Sequence, residues 1–169
     1  MADKASFTPE EWARVVASPM VASMAITAAD PSGLWGLLRE AMSGGWALVE
    51  AKRDAAASPL VKAVAEDIGS PETRTASRDW LQAEFKGVEI GDVRRKAVEE
   101  LRAVAAILDG KAPEDAPAFK IWLREVAQKA AEAGSEGGFL GFGGVAVSEA
   151  EKATLAEISA ALGVSSAAG

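Results

Sequence analysis

The chain has no cysteine, no histidine and no tyrosine. Without cysteine there is no disulfide, no thiolate nucleophile and no cysteine-held metal centre. Without histidine, Ser-His and Cys-His catalysis are excluded, as is a ferritin-like di-iron site built on Glu-x-x-His. A switch titrating near neutrality through an imidazole is also excluded. Aromatic residues make up only 6% of the chain. Together with sparse β-branched residues, this argues against strands.

Positive charge is the minority sign, with 18 Lys and Arg against 25 Asp and Glu and a net charge of -7. Nucleic-acid binding depends on Lys and Arg neutralising phosphates, so this balance disfavours it. It equally disfavours anionic membrane surfaces. Long apolar runs are missing. The longest, Met20 to Ala29, is interrupted by Ser23 and Thr27 and falls short of a bilayer. Met1 to Ser6 is polar and lacks the apolar core of a signal peptide, so the expected location is the cytoplasm.

What is present is helix-forming. Alanine is the commonest residue and the best helix former. Helix starts carry clear caps. Thr8-Pro9 with Glu11 combines an N-cap, a proline at the first helical position and a capping-box glutamate. Ser18-Pro19, Asp30-Pro31, Ser58-Pro59 and Ser70-Pro71 repeat the cap-then-proline signal, and Ser148 with Glu151 forms another box. The reading places helices near 9–17, 19–28, 31–56, 59–68, 72–86, 91–109, 113–133 and 149–162. Apolar stripes support it: Val93, Ala97, Leu101, Val104 and Leu108 on one helix, and Phe119, Trp122, Leu123, Val126 and Ala130 on another. A third stripe is Ala153, Leu155, Ile158 and Leu162.

The expected fold is therefore all-α: an irregular bundle of about seven to eight helices. Residues 1–164 form one helical domain and 165–169 a flexible tail. A weak repeat relates Gly87–Asp92 to Gly144–Glu149, and its alternation (Val88/Ile90, Val145/Val147) leaves room for one short β bridge pairing 88–90 with 145–147. Neither loop carries the carboxylates of a calcium site.

The segment from Gly137 to Ser148 stands apart. It holds Phe139, Leu140 and Phe142 among Gly137, Gly138, Gly141, Gly143 and Gly144, with no charge. Each glycine inside a helix costs about 1 kcal/mol against alanine, and the aromatic rings favour burial. No Gly-Lys-Ser/Thr follows, so it is no P-loop. Glu149 and Glu151 would repel an anion from the next helix start. The segment reads as an apolar plug or a docking surface. Trp35 and Trp46 flank Gly44-Gly45 and are candidate lining for an apolar ligand cavity, with Phe142.

Carboxylates occur in close pairs: Glu50 with Asp54, Glu66-Asp67, Glu99-Glu100 and Glu114-Asp115. Such runs are expected on solvated faces. Asp30 is expected to be a helix cap. No residue is assigned a catalytic, cofactor-binding or metal-binding role, and no cofactor is expected. The candidate docking or ligand residues are Phe139, Leu140, Phe142, Trp35 and Trp46.

The segments Thr27-Ala-Ala-Asp-Pro-Ser-Gly-Leu34 and Gly137–Ser148 resemble stretches of a group of bacterial all-helical proteins without known activity. The resemblance covers most of the chain and implies a helical fold but no activity, cofactor or site. A more distant resemblance is to tellurite-resistance-type helical domains, whose acidic metal-site pattern this sequence does not show. The functional expectation is a non-catalytic interaction protein of the bacterial cytoplasm, with a protein partner or a second copy of itself. The alternatives are a helical binder of a small apolar ligand and a carboxylate enzyme using a divalent metal.

Overall fold

The computed structural model describes residues 2–29, 58–136 and 147–165. Among them are six α-helices and no strand: α1 Pro9–Thr27, α2 Pro59–Asp67, α3 Pro71–Glu84, α4 Val93–Lys111, α5 Ala116–Glu136 and α6 Glu149–Leu162. Two single-turn 3-10 helices, Lys4–Ser6 and Ile90–Asp92, precede α1 and α4.

The caps form as their sequences require. Thr8 Oγ1 accepts the Glu11 N–H at 3.2 Å, while the Glu11 carboxylate accepts the Thr8 N–H at 2.8 Å. Ser148 with Glu151 forms the same reciprocal box at α6, while the Ser58 and Ser70 hydroxyls cap α2 and α3 by accepting from the Val61 and Thr73 N–H groups. Gly163 closes α6 in the left-handed conformation, with φ 68°, where a side chain would be strained.

The expected break at Ser18-Pro19 does not occur, and 9–17 and 19–28 form the single helix α1. Proline at position 19 removes the N–H that would bond the Val15 carbonyl. The Ser18 hydroxyl donates to that carbonyl instead, at 2.6 Å. The cap-like serine thus repairs the helix rather than starting one. A second difference lies before α5. Pro113, Glu114 and Asp115 form a turn, and the helix begins at Ala116.

The bundle is organised around α1, which packs against all five other helices. It is therefore apolar on nearly every side, as a central helix must be. Val15, Val16, Val21, Ala22, Ala25 and Ile26 are buried along it. They meet Leu60 and Val64 of α2, Leu101, Val104 and Leu108 of α4, Phe119 and Leu123 of α5, and Ile158 and Leu162 of α6 in one core. The alanines let these helices approach closely. Ala153, expected on the α6 stripe, is exposed, and Thr154 is buried in its place.

The proposed partner strands for a β bridge are not seen. Ile90 enters the 3-10 turn with 65% of its surface exposed, and 145–146 lie outside the described residues. The helix expected over 31–56 also lies outside them.

Helix α3 is the exception in the core. Its inward line is Thr73, Ser77 and Leu81, spaced at four residues, with only Leu81 apolar. Two short polar side chains cannot fill the space that larger apolar ones would. A groove therefore remains between α3 and α1.

Candidate functional site

Phe139, Leu140, Phe142, Trp35 and Trp46 all lie outside the described residues, as do Glu50, Asp54 and Asp30. Other residues come together where α1 meets α2, α3 and α4.

Each acidic doublet among the described residues turns its second member inward, correcting the expectation of solvated faces. Glu66, Glu99 and Glu114 are exposed, whereas Glu100 and Asp115 are buried and Asp67 half-buried. Asp115 accepts the Ala2 N–H at 2.8 Å. Asp67 Oδ2 accepts from Trp12 Nε1 at 2.6 Å, Thr73 Oγ1 at 2.8 Å and Lys4 Nζ at 3.1 Å. Burial works against ionisation of Asp67, but these donors outweigh it and hold its pKa below the ordinary aspartate value.

Glu100 is the most buried carboxylate of the three doublets, at 5% exposure. It sits in phase with Ala97, Leu101 and Val104 on the inward face of α4, so helical spacing places it in the core. Lys96 Nζ donates to Glu100 Oε1 at 2.8 Å and also to Glu84 of α3. Arg14 of α1 approaches the other Glu100 oxygen at 3.4 Å, while its guanidinium lies 5.3 Å from the Trp80 ring centroid. The hydrogen bond from Lys96 lowers the Glu84 pKa, and hydrogen bonds to Glu100 and Glu84 raise that of Lys96. Both move away from neutrality. Acid–base catalysis needs the opposite, a carboxyl raised or an amine lowered toward the working pH. The network therefore ties α1, α3 and α4 together as fixed ion pairs. Among the described residues no three carboxylates converge as metal ligands.

Two hollows are lined by residues of both α1 and α3. The smaller, about 260 Å³, is lined by Trp12, Ala13, Thr73 and Lys4 among others. Of its polar lining groups, Lys4 and Thr73 are already committed to Asp67. The larger, about 490 Å³, has an aliphatic wall of Val16, Ala17, Met20, Ile68 and Leu81. Arg74, Ser77 and Arg78 of α3 also line it. Its size lies inside the range of small-ligand sites, about 300–1,000 Å³. Ser77 is 6% exposed, and its hydroxyl is buried without a hydrogen-bond partner. Buried hydroxyls are normally paired, and an unpaired one costs about 1–3 kcal/mol.

Sequence reasoning passed over this groove. The available signal was the four-residue spacing of Thr73, Ser77 and Leu81 in an otherwise polar helix, with Arg74 and Arg78 beside it. What the sequence lacked was the identity of the face opposite.

Compared with known proteins, the chain matches no family model, no curated protein and no solved structure. Among the described residues no helix is long and apolar enough to cross a membrane.

Proposed function

We propose that the chain is a non-catalytic binding protein of the bacterial cytoplasm, taking a small, largely aliphatic ligand in the groove between α1 and α3. The observation that carries this reading is the groove itself. It combines a volume of about 490 Å³, an aliphatic wall and one buried hydroxyl left without a partner. The lack of Cys and His, and ion pairs whose pKa values move away from neutrality, favour binding over catalysis.

Calorimetric titration of the intact chain with octan-1-ol tests it. One saturable site per chain is expected. Ser77→Leu, which fills the floor, removes binding while far-UV circular dichroism stays helical. No saturable heat with the native chain would refute the reading.

A second proposal comes from the uncharged run of Gly137–Ser148. Phe139, Leu140 and Phe142 offer a docking surface to a protein partner or a second copy of the chain, and Trp35 and Trp46 a second apolar contact. Phe142→Ala separates the two roles of the segment. A plug loses on the order of 3 kcal/mol. A docking surface loses below about 0.5 kcal/mol of stability and loses self-association or partner binding. With the helix expected over 31–56, the bundle would hold seven helices, one fewer than the caps alone suggest because α1 is continuous. The β bridge pairing 88–90 with 145–147 belongs to the same proposal.

A further inference from the structure

We infer that the groove selects an amphipathic anion, with an oxyanion head on Arg74, Arg78 and Ser77 and an unbranched aliphatic tail along α1; this rests on the groove being a ligand site. Three observations carry it. The first is charge. The chain has 25 acidic residues, yet among the described residues the groove lining contains Arg74 and Arg78 and no Asp or Glu. Among the described residues Arg74 has no ion-pair partner, and Arg78 has only its chain neighbour Asp79 at 3.6 Å, both sides more than half exposed. A contact of that kind is worth little and yields readily to a ligand.

The second is placement. Arg74, Ser77 and Arg78 stand at i, i+3 and i+4 on α3, which puts them on one face of the helix. Guanidinium groups offer paired N–H donors that match a carboxylate or phosphate. Ser77 lies between them in sequence, and among the described lining residues it is the one whose buried polar atom is unpaired and so has a donor to offer. The third is the tail wall. Val16, Ala17, Met20, Ile68 and Leu81 are all aliphatic, so among the described lining residues no ring is available to stack an aromatic body. Met20 adapts its shape to a flexible chain.

An oxyanion on an aliphatic chain occurs both as a free carboxylate and as a lipid headgroup. The groove's volume of about 490 Å³ favours a free molecule of modest length.

The test titrates the intact chain in parallel with sodium octanoate, octan-1-ol and octylamine, and with vesicles of phosphatidylglycerol in phosphatidylcholine. Octanoate is expected to bind roughly tenfold more tightly than octan-1-ol, with octylamine weakest and no vesicle association. Arg74→Gln with Arg78→Gln, both at exposed positions, brings octanoate down to the affinity of octan-1-ol and leaves octan-1-ol unchanged. Ser77→Ala lowers octanoate affinity severalfold without changing the fold. Equal affinities for octanoate and octan-1-ol, unmoved by the arginine changes, would overturn the anion selectivity and leave the groove standing as an apolar site. Binding to vesicles without binding to octanoate would overturn the free-ligand assignment. No binding of any of the three small probes would overturn the groove as a ligand site.

Discussion

The Ser18 hydroxyl donates to the Val15 carbonyl at 2.6 Å, the bond that Pro19, four residues on from Val15, leaves unmade. Ser18 and Val15 are fully buried on α1, the helix that the five other described helices pack against. Further along α1, Ser23 donates to the Pro19 carbonyl at 3.1 Å and Thr27 to the Ser23 carbonyl at 2.9 Å, but there the backbone N–H groups are intact and the hydroxyls only add to them.

Ser18→Ala leaves the buried Val15 carbonyl without a donor and is expected to cost about 1–3 kcal/mol. Pro19→Ala restores the backbone N–H. In the Ser18→Ala background it should recover most of the loss, and the double-mutant cycle should show clear coupling. Urea unfolding measures all four proteins. Additive effects would show that the hydroxyl is not standing in for the missing N–H.

The α1–α3–α4 ion network should be costly to break from one side only. Lys96→Met leaves Glu100 buried with Arg14 alone and is expected to destabilise by about 3 kcal/mol. That is the low end for such changes, because the Lys96 side chain is a quarter exposed. Replacing both Lys96 and Glu100 with methionine should recover part of that loss, since the buried Glu100 charge is removed along with its partner, although Arg14 and Glu84 each lose an ion-pair contact. The readout is the urea midpoint. A loss at Lys96→Met no larger than at an exposed lysine such as Lys152 would contradict the account.

Asp67 supplies the acid sensitivity. Its folded pKa lies below the ordinary value of about 3.9. A depressed carboxyl contributes stability that is present above the unfolded pKa and lost as pH falls through the folded one. The difference in stability between the native chain and Asp67→Asn should therefore be constant above about pH 5 and shrink below about pH 4. Trp12 fluorescence should report the same transition, because its indole N–H donates to Asp67 at 2.6 Å. A difference that persists unchanged at pH 2 would contradict the assignment. Lys96 works in the other direction. Its raised pKa means that its contribution holds below about pH 10.4 and fades above it.

The helical fold was legible because its signals are local. Thr8, Ser58, Ser70 and Ser148 each announce a helix start within four residues, and Ala97, Leu101, Val104 and Leu108 mark a buried face by their spacing alone. Ser18-Pro19 misled because the dipeptide is the same as at the true starts. The apolar phase of Val15, Ala22 and Ile26 runs through it, and that continuity decides in favour of one helix. The inward carboxylates were half legible: Glu100 lies in phase with its stripe, but its partners Arg14 and Glu84 come from other helices. The groove was least legible, because Arg74, Ser77 and Arg78 look like an ordinary polar helix until Val16, Ala17 and Met20 are placed across from them.

The central claim is that the α1–α3 groove takes a ligand, and the Met20 methyl group tests it most directly. Met20 lines the groove, whereas Met24 packs one turn further along α1, outside it. In a ¹³C-methyl-methionine sample titrated with sodium octanoate, the Met20 resonance should shift saturably with the calorimetric affinity while Met24 stays in place. A Met20 resonance unmoved at saturating octanoate, or equal and non-saturating shifts at both methionines, would contradict the account.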